Sequence, residues 1–286
     1  MKLIESNVEP LIQEEGLRGI YKQIERCGRT CYKSEDHITE DSCDRFVQAM
    51  IKNGHTAMLE HGTVYLTIPD TPNYSPTRYL DNPYSCVKIN RDADGKWCWF
   101  ITTNYRVLVE NGFLDDLEYL TEPTAYHAKR YCFRIICDRG VSHEIVRHRH
   151  MSFVQESTRY CNYSKDKFGN ELTFIRPSWY TPSYKAIDDP KTTVEANIVN
   201  QDKKSYIFEQ TLIKVERHYM ELLAEGLTAQ EARDVLPNAL KTEICVTGFK
   251  DDWDHFLDLR YKGKTGKPHP DMYKIAEAIY KHFSSD

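Results

Sequence analysis

Nowhere in the 286 residues do apolar side chains run together for the roughly 18 positions that a membrane span needs, and the opening MKLIESNVEPLIQEEG holds no apolar block of signal-peptide length. A cytoplasmic protein with no membrane partner is therefore expected. The nine cysteines, at 27, 31, 43, 86, 98, 132, 137, 161 and 245, are odd in number and include no Cys-x-x-Cys pair. That pattern excludes a zinc ribbon and a disulfide framework and points to reduced thiols. His-Glu-x-x-His is missing as well, so His55, His61, His143, His148 and His150 form no ligand pattern, and no metal is expected. There is no basic excess: 38 Lys and Arg face 43 Asp and Glu, a formal charge of -5, which argues against a domain that coats nucleic acid through bulk electrostatics. Repeats, low-complexity tracts and linkers are absent, so residues 1–286 read as a single domain, with 40% apolar residues to build its core.

What is present reads as a mixture of helices and strands. Leu17, Ile20, Ile24 and Cys27 fall at helical spacing, as do Phe46, Val47, Met50 and Ile51 before Gly54. Val64, Leu66 and Ile68 alternate with Thr63, Tyr65 and Thr67 in a half-buried strand closed by Pro69. Segments 85–89 and 97–103 flank Asp92-Ala93-Asp94-Gly95, a hairpin signal, while 70–84, with Pro72, Pro76 and Pro83, reads as a surface loop. A helix is expected over Thr124–Asp138, and a second over 143–149 with Ser142 as its N-cap. Residues 164–204 read as long loops. Phe208, Leu212, Val215, Tyr219 and Leu222 mark a helix that stops at Gly226, and Thr228 with Glu231 makes a capping box for a short helix ended by Pro237. Leu240–Thr247 is a strand by composition; Trp253, Phe256, Leu257 and Arg260 then follow at i, i+3, i+4 and i+7 of a helix.

The densest chemistry lies in residues 147–159, where Arg147, Arg149 and Arg159 stand with His148, His150, Ser152 and Ser157 against a single acid, Glu156. Surface arginines are normally neutralised by nearby acids, so this segment reads as an anion site. Arg147-His148-Arg149, seven residues and then Ser157 match the RHRx7S signature of the flavin-dependent thymidylate synthases. Gly54-His55 followed by Glu60-His61 resembles that family's upstream segment. Ala232-Arg233-x-Val235-Leu236-Pro237 and Trp253-x-His255-Phe256-Leu257-x-Leu259-Arg260 resemble its downstream signature. The matching blocks run from about residue 54 to 260 in the family's order.

The resemblance implies an α+β fold, a single domain with a central, mostly antiparallel sheet flanked by helices. It implies methylation of dUMP to dTMP, with methylenetetrahydrofolate as carbon donor, NADPH as reductant and FAD as hydride carrier, in a homotetramer that shares its active sites between subunits. Glu60, Arg147, His148, Arg149, Gln155 and His255 would bind FAD. Glu144, Arg147, Gln155, Ser157, Arg159, Arg233 and Arg260 would bind dUMP, the planar guanidinium forks suiting phosphate oxygens. Arg260 would be catalytic, a fixed cation beside the pyrimidine that stabilises charge spreading from N3 and O4 as C5 becomes nucleophilic. No cysteine lies where the chemistry needs one, so Ser157 is expected to be a ligand and not an attacking group. Ala57, Phe249-Lys250-Asp251 and the segment after Arg260 depart from the family pattern, and insertions are expected near 70–100 and 164–204.

Other readings stand beside these. Residues 147–159 could be a charged helix end running into a solvated loop, Arg260 could pair with Asp258 or Asp254, and Arg233 with Glu231 or Asp234. Two alternative functions remain: a flavoenzyme acting on another pyrimidine nucleotide, and an RNA-binding module that stacks bases on Tyr160 and Tyr163.

Overall fold

The computed structural model describes residues 1–72, 74–181 and 202–285. In chain order, the elements begin with β1 (Lys2–Ile4), β2 (Asn7–Pro10), α1 (Gly16–Tyr32), α2 (Ser42–Lys52), β3 (Thr63–Pro69), α3 (Thr77–Leu80), β4 (Cys86–Arg91), β5 (Trp97–Asn104) and α4 (Tyr105–Asn111). They continue with β6 (Arg130–Asp138), α5 (Arg139–Ile145), β7 (Ser152–Gln155), β8 (Thr173–Ile175), α6 (Lys203–Ala224), α7 (Ala229–Ala232), β9 (Lys241–Phe249), α8 (Lys250–Arg260) and α9 (Pro270–Ser285). The mixed, mostly antiparallel α+β class is as expected. The strands divide into an antiparallel sheet β2-β6-β9-β7, a second antiparallel sheet β3-β5-β4 and a parallel pair β1-β8.

The four-stranded sheet is covered on both faces. Phe133, Ile135 and Cys137 of β6 face Trp253, Phe256 and Leu257 of α8 and Met272, Ile275 and Ile279 of α9, whereas Cys132 and Cys245 face Ile20, Ile24 and Cys27 of α1. Burying each large apolar side chain of this kind contributes about 1.5–3 kcal/mol. Close approach of α1 to the turn before β3 demands a glycine there, because a Cβ on Gly62 would lie 2.7 Å from side-chain carbons of both Ile20 and Ile24. A third cluster packs Leu212 and Tyr219 of α6 against Cys161, Tyr163, Leu172 and Phe174.

One strand of this sheet departs from the expectation. The helix expected over Thr124–Asp138 is instead the strand β6, paired from Arg130 to Asp138 with β9, and Thr124 to His127 forms a turn in which Thr124 N donates to His127 Nδ1. Its charged residues Arg130, Arg134 and Asp138 fall at i, i+4 and i+8 with apolar residues between, a spacing common to one face of a helix and one face of a strand, so periodicity does not separate the two. The helix that follows starts earlier than expected: Asp138, not Ser142, caps it by accepting from Val141 N at 2.8 Å. Residues 152–155, expected to leave that helix as loop, form β7 against β9. Within 70–84, expected as loop, α3 carries Tyr79, which is fully buried and donates to Asp116 at 2.6 Å. The expected hairpin, helices α1, α2, α6 and α8, and the Thr228–Glu231 capping box are all present. Of the long loops expected over 164–204, β8 and the first residues of α6 are ordered elements, and 182–201 lie outside the described residues. Among the described residues no helix is long and apolar enough to cross a membrane.

Candidate active site

The end of α8 meets the end of α5. The apolar face of α8 anchors Trp253, Phe256 and Leu257 in the core, which carries Arg260 to the last position of the helix at the half-buried edge of that core. There Arg260 Nη1 donates to Glu144 Oε2 at 2.7 Å, Nη2 to the Glu144 carbonyl at 3.3 Å and Nε to His148 Nε2 at 3.3 Å. The acids that the sequence offers as local partners are taken elsewhere: Asp258 binds Lys262 and Lys264, and Asp254 binds Lys250. The segment after Arg260 is thereby folded back onto α8, with Tyr261 stacked on Tyr273 and Tyr280.

His148 is 9% exposed, packed against the Phe256 ring at 4.9 Å and with the His255 ring centroid at 6.1 Å. Burial, the Arg260 cation and His255 together lower its pKa to about 4. Guanidinium nitrogen only donates, so the neutral ring accepts from Arg260 through Nε2 and carries its proton on Nδ1. This has a consequence for stability. The unfolded ring charges near pH 6.5 and the folded ring only near 4, so stability present above pH 6.5 is lost on acidification between those values. Urea titrations at pH 7 and 4.5 should show His148→Gln losing about 1–2 kcal/mol less than the parent chain, after discounting for the part of the ring that water screens. Equal losses in the two proteins would remove the assigned neutrality of His148.

The strand β7 places the rest of the motif along β9. Gln155 Nε2 donates to Ser142 Oγ at 2.9 Å and Thr242 Oγ1 at 3.0 Å, joining α5 to the sheet. Glu156, 2% exposed, accepts from Lys241 at 2.8 Å and from Tyr163 Oη at 2.9 Å; Lys241 also reaches Glu243, which in turn binds Lys33 and Arg134. Burial pushes the Glu243 carboxyl up, but Lys241, Lys33 and Arg134 outweigh it and bring its pKa down to about 2. Ser157 N donates to the Cys31 carbonyl, and Ser157 Oγ accepts from Arg159 N. Arg159 reaches Gln230 of α7 at 2.9 Å, the helix that immediately precedes Arg233.

The chain thus brings together Glu144, His148, His255 and Arg260, and links Gln155 to them through α5. It joins Arg159 to the segment bearing Arg233. No described contact connects these two groups. Arg147 and Arg149 are exposed, and among the described residues neither they nor Arg233 has a carboxylate partner; Glu231 is engaged with Thr228 in the capping box. Glu60 binds Arg106 of α4 at 2.5 Å, a pairing that nothing in the spacing revealed. Tyr163 is 5% exposed and bonded to Glu156, so the base-stacking pair with Tyr160 is not formed. The thiols of Cys31 and Cys161, whose backbones bond to that of Ser157, are poor nucleophiles, since burial, reinforced by Glu156, raises Cys31 and pushes Cys161 to about 12. A cleft of about 320 Å³ lies elsewhere, lined by Gln13, His61, Tyr65, Arg130 and Cys132 among others, and none of the expected site residues lines it.

Residues 111–285, more than half of the chain, match the family model described as thymidylate synthase complementing protein. A flavin-dependent thymidylate synthase of Geobacter sulfurreducens is 30% identical over 149 residues, covering 52% of this chain and 55% of that protein. One from Corynebacterium aurimucosum is 32% identical over 126 residues, 43% of this chain and 45% of the relative, and one from Aquifex aeolicus is 23% identical across 92% and 94%. The chain therefore spans about half the length of the first two. Among solved structures, the UMP/dUMP methylase PolB of Streptomyces cacaoi bound with 5-Br dUMP aligns at 14% identity over 100% of this chain and 93% of that one, with a TM-score of 0.45, too low to carry an argument.

Proposed function

We propose, since this chain belongs to the thymidylate synthase complementing protein family, that it methylates dUMP to dTMP in the cytoplasm, taking the carbon from methylenetetrahydrofolate and the hydride from FAD that NADPH has reduced. One observation carries the reading. In a chain with more acids than bases, Arg147, Arg149 and Arg233 lie within the matched motifs and have no carboxylate partner among the described residues. Guanidinium groups left without acids fit a pyrophosphate and a nucleotide phosphate, which offer paired oxygens to a planar fork.

Arg147, His148, Arg149 and Gln155 are the residues we assign to the flavin, with Glu60 and His255 alongside. Bound FAD supplies the hydride that completes the methyl group. Ser157, Arg159 and Arg233 hold the nucleotide phosphate, and Arg147, Gln155 and Glu144 complete the dUMP site, Glu144 by way of Arg260. Arg260 stands at the pyrimidine edge, where its fixed charge stabilises negative charge at N3 and O4 and so makes C5 nucleophilic. Glu144 and the neutral His148 hold that guanidinium in place beforehand, so no reorganisation is needed when charge develops. With Cys31 and Cys161 protonated and Ser157 Oγ lacking a histidine or carboxylate partner among the described residues, no protein nucleophile is required. Following the family resemblance, we assign the complete site to a homotetramer whose subunits share it.

Purified protein should be yellow, release FAD on denaturation and turn over dUMP in preference to UMP and dCMP. Persistent failure to bind FAD would defeat the reading. Preference for UMP or dCMP would move it to a flavoenzyme for another pyrimidine, and salt-sensitive oligonucleotide binding by colourless protein would move it to RNA.

A further inference from the structure

Spacing along the chain offers no cluster of cysteine and histidine, but the fold assembles one from three distant segments. Cys27 lies on the buried stripe of α1, His61 ends the turn before β3 and Cys132 sits on β6. Cys27 and His61 are 0% exposed and Cys132 is 8% exposed. Their donor atoms all lie within 4.8 Å of one another, and the two sulfurs are 3.7 Å apart. Two zinc–sulfur bonds of about 2.3 Å at the tetrahedral angle place their sulfurs about 3.8 Å apart, so the thiols are already spaced as ligands.

The histidine supplies an independent observation. His61 Nδ1 is 2.8 Å from Thr247 Oγ1, while its buried Nε2 has no hydrogen-bond partner. Leaving such an atom unmatched in a core is unfavourable, and a ligand on that nitrogen offsets the cost. Donation from Nδ1–H to Thr247 leaves Nε2 with a bare lone pair, the state in which histidines bind metals while a neighbouring oxygen fixes the ring. We propose that Cys27, Cys132 and Nε2 of His61 bind a thiophilic divalent cation of the zinc class. Two sulfurs and an imidazole favour such an ion over magnesium or calcium, which take oxygen ligands. His61 and Cys132 also line the 320 Å³ cleft, which places open space beside two of the three residues. The bound ion ties α1 to β6 directly beside Glu60, one of the residues assigned to the flavin, but the site does not depend on that assignment.

A disulfide between Cys27 and Cys132 is the rival use of the same sulfurs. It would bring them to about 2.05 Å and leave His61 Nε2 still unmatched. Cobalt titration of the full-length, reduced, metal-free protein separates the two. The expected result is binding of about one cobalt per chain, with thiolate-to-metal charge-transfer and tetrahedral d–d bands that zinc displaces. Cys132→Ser and His61→Gln should lose these bands, Cys137→Ser should keep them, and Thr247→Val should keep them with affinity weakened about 10–100-fold. The proposal is overturned if the folded parent protein shows no thiolate–cobalt band, if the bands persist unchanged in Cys132→Ser, or if peptide mapping without reductant finds Cys27 joined to Cys132. The first and last of these use the parent chain, so a variant that fails to fold cannot shield the proposal.

Discussion

Arg260→Ala is expected to slow dTMP formation by about 10²–10³-fold, the loss seen when one preorganised donor to a developing anion is removed, while FAD stays bound. The effect is large because the position is prepared. The core face of α8 fixes the backbone, and Glu144 and His148 fix the guanidinium through three hydrogen bonds. The truncation leaves Glu144 without its cation, but that carboxylate is 27% exposed and keeps access to water, so the fold should survive. Arg260→Lys makes a useful companion, since it preserves the charge and removes the planar fork; partial activity there would separate charge from geometry. The measurement is steady-state turnover alongside the visible flavin spectrum. Normal turnover in Arg260→Ala would show that the cation at the end of α8 is structural.

Lys241→Met should be the most destabilising of the simple charge removals, at about 3–5 kcal/mol by chemical denaturation. Lys241 serves two buried carboxylates, with Glu156 at 1% and Glu243 at 6% side-chain exposure. Glu243 keeps Lys33 and Arg134, whereas among the described residues Glu156 keeps only the neutral hydroxyl of Tyr163. The cost falls on an unpaired buried carboxylate, so Glu156→Gln in the same chain should restore most of the loss. Because Glu156 sits between Gln155 and Ser157, loosening it should also weaken dUMP binding. A loss below about 1 kcal/mol, or no rescue by the second change, would mean that the network does not anchor the motif.

What the sequence disclosed and what it hid divide along physical lines. Helices α1, α2, α6 and α8 each bury an apolar stripe, so their 3.6-residue period is visible in the residues themselves. Strand β6 carries its charged residues four apart, a spacing that also suits a helix, while α9 packs into the same core with Met272, Ile275, Ala276 and Ile279 at helical spacing. At the site, the residue types of 147–159, Arg233 and Arg260 were legible because the motif is local. Their partners were not. Glu144 lies 116 residues from Arg260 and Lys241 lies 85 from Glu156, and pairings of that range are set by how β6, β7 and β9 align. The sulfur and imidazole cluster escaped for the same reason: Cys27 and Cys132, 105 residues apart, meet only because α1 crosses β6.

Charge placement, with flavin and without a protein nucleophile, is what we propose activates C5 of dUMP. Release of label from dUMP tritiated at C5 tests it most directly, run with and without FAD, methylenetetrahydrofolate and NADPH. Release is expected from the complete mixture, is lost when FAD is omitted, stays undiminished in Cys161→Ser and slows about 10²–10³-fold in Arg260→Ala. Failure of flavin-loaded, folded protein to release the label, or release that requires Cys161 and ignores Arg260, would contradict this proposal.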